Sequence, residues 1–303
     1  MEIETHRDEF QDLVLGNASV ERLWTGGRWV EGPTYFAEHS FLVWSDIPNN
    51  RMLWMHDSGV VGTYRSPSAF VNGSTRDREG RLVSCEHGGR RVVRAEWDGS
   101  LTVLAESFEG KKLNSPNDVV VDSQGGVWFT DPTYGILSDY EGGRRAQEQD
   151  HCGVYYLPPA GGELTLVIKD LAKPNGLAFS SDESVLYVAD SEATHNPTGA
   201  HTIWAFDVEL SGEVSHKRKV VDVSPGVPDG FRLDEYGNIW SSAADGVHCY
   251  SPTGELLGKI KLPEVASNCT FGGRDRNRLF ITASESLYSV YLNVRGSVRP
   301  TSA

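Results

Sequence analysis

The chain has 303 residues, a formal net charge of −14 at neutral pH and 39% hydrophobic residues. That length allows one large all-β domain or two average ones. The acidic balance excludes nucleic acid and anionic membranes as partners, because both reward basic surface. No apolar run approaches the roughly 20 residues of a membrane-spanning helix. The opening residues 1–9 are polar and acidic, unlike a secretory leader. A cytoplasmic location is expected, or a periplasmic one if a leader has been removed.

Residues 5–15 read as a short amphipathic helix with Phe10, Leu13 and Val14 on one side. Residues 1–19 are accordingly predicted as a helical extension, 20–295 as one propeller domain and 296–303 as a polar tail. VERLWTG (20–26) is a strand with no local partner. Six similar strands follow: FLVWSD (41–46), RLVSCE (81–86), GVWFTD (126–131), VLYVAD (185–190), NIWSSA (238–243) and RLFITA (278–283). Each comes after a turn rich in Asp, Gly, Asn or Ser, and each is followed by a second strand of period-2 character. Upstream of each turn lies a further short segment, such as EGPTYF, PNDVVVD or PNGLAFS. Six such units at a period of about 40–50 residues predict a six-bladed β-propeller, all-β, with a two-sheet sandwich as the competing arrangement. VERLWTG then supplies the outer strand of the last blade, leaving no edge unpaired. Insertions at 138–152 and 191–200 both fall between second and third strands, which predicts that they share one rim.

Cys85, Cys152, Cys249 and Cys269 are far apart and lack CxxC spacing, so reduced and mostly buried thiols are expected. Arg90, Arg91 and Arg94 sit in a strand-like stretch whose alternate side chains would face water. No G-x-S-x-G, H-E-x-x-H, phosphate loop or dinucleotide fingerprint occurs, which disfavours serine-hydrolase and nicotinamide chemistry.

Aligned on their first strands, the repeats present Glu31, Asn72, Asn117, Asn175, Asp229 and Asn268, each before a small or acidic residue. In a propeller these positions ring the mouth of the central channel. Two carboxylates and four carboxamides make an all-oxygen set suited to a hard cation such as Ca²⁺, Mg²⁺ or Mn²⁺. Asn or Asp before Gly is also ordinary turn chemistry. Glu31 is not a turn residue, however, and it follows Trp29 and Val30, so its charge needs a partner to offset desolvation.

EGP (31–33), SPND (115–118), KPNG (173–176), VPDG (228–231) and NCTFGG (268–273) resemble the gluconolactonase / senescence marker protein (regucalcin) family. The resemblance spans residues 20–290. CEHGGRRV (85–92) and WFTDPTYG (128–135) are most like the bacterial gluconolactonases. Ser115 stands where regucalcins carry Arg, so that arginine's sugar-binding role does not carry over. The resemblance implies a catalytic divalent cation at the channel mouth, held by Glu31, Asn175 and Asp229. Asn117 would be a fourth ligand or a catalytic contact to substrate beside the metal. Ca²⁺ is placed first, with Zn²⁺, Mg²⁺ and Mn²⁺ as alternatives.

The implied reaction opens a sugar lactone, of the glucono-1,5-lactone type, to the aldonic acid. Asp229 is the first choice of general base. Asp131 is the second, and also reads as a turn cap before Pro132. His87, Asp131 and His151 are expected at the substrate, the histidines bonding hydroxyls or shuttling a proton; structural roles are the alternative. Trp29 and Tyr134 read as packing residues. Competing functions are an organophosphate or aryl-lactone hydrolase using the same cation, and a non-catalytic calcium-binding propeller. The expected partner is a small-molecule lactone, with the protein a monomer or homodimer.

Overall fold

The structure, a computed structural model, describes residues 1–159, 161–209 and 211–297. Among the described residues, six antiparallel sheets of four or five strands follow one another along the chain, with a two-stranded ribbon, Ser107–Phe108 with Lys111–Lys112, after the second. Their innermost strands are Val30–Phe36, Val71–Arg76, Val119–Val121, Pro174–Phe179, Phe231–Leu233 and Ala266–Gly272. Each touches the innermost strand of the next blade, and the sixth touches the first. That closed circuit makes the chain a six-bladed β-propeller rather than a sandwich. The apolar core is divided into six clusters, one wedge between each pair of neighbouring blades. Both faces of a blade are therefore dry, which is why strands such as FLVWSD and VLYVAD carry near-continuous apolar runs instead of clean alternation. Trp44, Trp128 and Trp240 are among the largest side chains fully buried there.

Closure follows the expected route. Glu21–Thr25 pairs antiparallel with Ser286–Tyr291 and forms the outer strand of blade six. The first nineteen residues hold more than a helix. Glu9–Leu13 is helical, but Glu2–Thr5 is a strand that pairs with Leu256–Lys261 as a fifth strand of blade five. Glu2 and Thr5 face solvent on this edge, so no alternating pattern marked it. Phe10 anchors the segment by stacking near Trp240, ring centroids 5.9 Å apart, in space left by Gly258. Of the tail, Gly296 donates to the Arg276 carbonyl of blade six and Ser297 to the Leu233 carbonyl of blade five; residues 298–303 lie outside the described residues. Among the described residues no helix is long and apolar enough to cross a membrane.

The ladders break where the ring residues sit. In blade one Glu31 pairs with Ser45 but the next pair is Thr34 with Val43; blades two and four skip Asn72–Gly73 and Asn175–Gly176 in the same way. Such bulges re-aim a side chain out of the pleat, here into the channel. The glycine that follows the ring residue is a close-approach device. A Cβ on Gly176 would lie 2.2 Å from the Asp229 carbonyl oxygen, and one on Gly32 would lie 2.3 Å from that of Asn72. Gly32 also has φ +56°, where side chains are strained. The same approach lets the Gly176 amide donate to the Asp229 carbonyl at 3.0 Å, stitching blade four to blade five.

Candidate active site

The six ring residues converge as the alignment predicted, but they divide by partner. Glu31 is 2% exposed. Its Oε2 accepts from the Gly32 amide at 2.6 Å and from Asn268 Nδ2 at 2.8 Å. Its Oε1 is buried with no hydrogen-bond partner. Burial pushes the Glu31 carboxyl up to about 7, repulsion from Asp118 adds to this, and the two hydrogen bonds oppose it. Asp229 is driven well above the carboxylate range, first by burial and then by repulsion from Glu31, Glu141 and Asp118. Asn175 donates to Ser191 Oγ at 3.2 Å, and its side chain also hydrogen-bonds the Asp229 carboxyl. Asn268 serves Glu31, and Asn72 turns to His87, Nδ2 to Nε2 at 3.2 Å.

An orphaned buried carboxylate oxygen, and acids raised first by burial and then by like charge, form a centre that a cation would relieve beyond the partial offset from Arg232. The donor set fits a divalent cation: Glu31 and Asp229 bring charge, Asn117 and Asn175 bring neutral oxygens. Among the described residues no group of three or more His, Cys, Asp or Glu could hold a metal. The carboxamides are therefore needed to complete the set.

Above Asn117, Asn175 and Asp229 opens a cavity of about 330 Å³. The insertion of blade three brings Glu141 to its wall, with Tyr134 from the short helix Tyr134–Leu137 just before it, and that of blade four brings Thr194, so both insertions do share this rim. Trp29, Val227, Ala244 and Val265 line the remainder. Burial raises the Glu141 carboxyl to about 7. No lysine, arginine or histidine lines this wall among the described residues.

Residues 29–285 match the family described as SMP-30/Gluconolactonase/LRE-like region. The chain belongs to that family. It is 32% identical over 306 residues to a gluconolactonase of Zymomonas mobilis, covering 92% of this chain and 83% of the relative. A pentonolactonase of Haloferax volcanii is 30% identical over 274 residues, covering 86% and 83%. The solved structure of a gluconolactonase from Xanthomonas campestris superposes with a TM-score of 0.90 at 38% identity, over 96% of this chain and 95% of that one.

Within this SMP-30/gluconolactonase framework, three residues expected at the substrate sit elsewhere. His87 is buried beneath the wall, with Nδ1 on the Glu141 carbonyl at 3.1 Å. His151 points away to the flank of blade three, between Asp150 Oδ1 at 2.7 Å and the Tyr155 hydroxyl at 2.9 Å, and lines a different hollow. Asp131 is fully buried, and both its oxygens are occupied. They accept from the Asn114 amide at 2.7 Å and the Ser115 amide at 2.8 Å. Conversely, Trp29 and Tyr134 are wall residues rather than packing, and Glu141 was not anticipated. Arg90 is also buried, not facing water: its Nε donates to the Leu113 carbonyl at 2.7 Å.

The role of Asp131 recurs around the ring. Asp190 accepts from the amides of Ala172 and Lys173, and Asp46 accepts from that of Arg28. In each case an acid at the end of the second strand clamps the amide three residues before the ring residue. Asp131→Asn sets an NH₂ against a backbone N–H, at a cost of about 1–3 kcal/mol. Burial raises the Asp131 carboxyl to about 7. Between its ordinary value near 4 and 7, the native chain thus holds a proton that the unfolded chain has released. Through that window this group makes stability fall as pH rises. Thermal unfolding of the metal-saturated protein should show Asp131→Asn destabilised, with that slope flattened.

Proposed function

We propose that this chain is a metal-dependent lactonase opening a sugar lactone of the glucono-1,5-lactone type to its aldonic acid. The observation that carries the reading is the buried, unpartnered Glu31 Oε1, whose carboxylate repels Asp229, itself a lining residue of the cavity. Relatives named gluconolactonase and pentonolactonase support the substrate class. Glu31, Asn117, Asn175 and Asp229 would hold one divalent cation, with Ca²⁺ the first choice. When bound, such an ion polarises a lactone carbonyl and stabilises the oxyanion that forms on it.

The chain's own residues would do the rest. Asp229, which lines the cavity, takes a proton from the attacking water as the new C–O bond forms. It returns that proton to the ring oxygen as the ester bond breaks, giving one carboxylic acid and one hydroxyl. Trp29 and Tyr134 offer flat faces for the C–H side of a sugar ring. Glu141 accepts hydrogen bonds from its hydroxyls.

The test is a pH-drop assay on a lactone panel with chelator-stripped and Ca²⁺-restored protein. Hydrolysis of glucono-1,5-lactone that disappears on stripping and returns with the ion is the expected result. Undiminished turnover after stripping removes the metal from the mechanism. The apolar arc of Trp29, Val227, Ala244 and Val265 also favours a second reading, an aryl lactone or phosphotriester. Turnover of phenyl-substituted substrates above that of gluconolactone in the same panel would establish it.

A further inference from the structure

His87 is 1% exposed, so it cannot touch a substrate in the cavity. Its ring nevertheless joins two parts of the cavity. Nδ1 lies 3.1 Å from the carbonyl oxygen of Glu141 in the blade-three insertion, and Nε2 lies 3.2 Å from Asn72 Nδ2. The chain packs closely over it: a Cβ on Gly135, in the helix Tyr134–Leu137, would lie 2.5 Å from His87 Cβ, and one on Gly142 of the insertion would lie 2.2 Å from the Gly135 carbonyl.

The hydrogen-bond roles follow in order. A backbone carbonyl only accepts, so Nδ1 must carry the proton. Burial keeps the imidazole neutral, its pKa pushed down to about 4, so Nε2 is left as an acceptor. An acceptor facing Asn72 selects the amide nitrogen of that side chain and turns its carbonyl oxygen the other way. The Asn72 backbone is pinned by Ser45, whose Oγ donates to its carbonyl at 2.8 Å, so this rotamer is what remains to be set. Asn72 lines the cavity beside Asn117 and Asp229.

We propose that His87 is a positioning residue that fixes Asn72 with its carbonyl oxygen toward the cavity, giving blade two a hydrogen-bond acceptor for a substrate hydroxyl. This rests on the lactonase reading for its substrate. Without His87, the carboxamide is free to flip and present a donor instead.

Two measurements test it. The first is independent of activity: long-range ¹⁵N–¹H NMR of the wild-type histidines at pH 7. The expected spectrum shows His87 neutral with its proton on Nδ1. A proton on Nε2, or an imidazolium, overturns the proposal. The second is a double-mutant cycle in kcat/KM for glucono-1,5-lactone. His87→Phe and Asn72→Ala are each expected to lose about tenfold, carried mainly by KM, and the double variant no more than Asn72→Ala alone. Additive losses of about a hundredfold would show that His87 acts by another route and overturn it. A wild-type protein that turns over no lactone removes the lactonase reading, and the NMR result then still decides the His87–Asn72 arrangement.

Discussion

Asp229→Asn is expected to lose about 10³-fold or more in kcat/KM on glucono-1,5-lactone. The loss should fall on kcat, and the protein should no longer retain a divalent cation through gel filtration. The reasoning starts from crowding. Asp229 is raised first by burial and then by repulsion from Glu31, Glu141 and Asp118, so its carboxylate completes a cluster of negative charge that a cation would neutralise. An amide at that place removes a unit of charge from the ligand set and a proton acceptor from the cavity floor. Both deficits act on the same step, so the effect should exceed that of losing a wall contact. The checks are elemental analysis of the purified variant and the pH-drop assay at saturating Ca²⁺. Full activity in a metal-stripped Asp229→Asn protein would remove Asp229 as ligand and as base together.

The floor of this site was legible in the sequence because geometry repeats it. Each blade must bring its innermost strand to the channel, and the close approach of neighbouring backbones demands a small residue after Glu31, Asn72, Asn175 and Asp229. The spacing of those pairs therefore recorded both the blade count and the ring. Closure by Glu21–Thr25 was legible for a related reason, since an unpartnered strand in a ring has one vacant edge to fill. The walls were not. Glu141 and Trp29 lie on loops and Tyr134 opens a one-turn helix, and there sequence places a residue on a rim without giving its direction. His151 ends the same insertion that carries Glu141, yet Asp150 and Tyr155 hold it on the outside. Of the two roles open to Asp131, the capping one holds, and a signal favoured it: Asp46 and Asp190 occupy the same place in their repeats, and a role shared by three blades is architectural. The strand Glu2–Thr5 left no pattern to find, being an edge held by backbone bonds.

Glu31→Gln should separate stability from function at the same centre. Gln keeps the acceptor that receives the Gly32 amide and Asn268 Nδ2, and replaces only the buried oxygen that has no partner. In the metal-free protein at pH 8 this removes a buried charge that two hydrogen bonds and Arg232 offset only in part. The expected gain is about 1–3 kcal/mol, read as unfolding some 2–4 °C higher per kcal/mol or slightly less for a chain of this length. Adding Ca²⁺ should reverse the order. An ion that binds only the native wild type stabilises it by about 2.7 kcal/mol at a hundred times its Kd, whereas the Gln variant, one ligand charge short, should barely respond. Lactone hydrolysis should be lost in the variant under both conditions. The decisive result is the crossing of the two unfolding temperatures as Ca²⁺ is titrated. If Glu31→Gln is the less stable protein without the ion, the carboxylate is held by partners of its own, and the centre is not built around a missing positive charge.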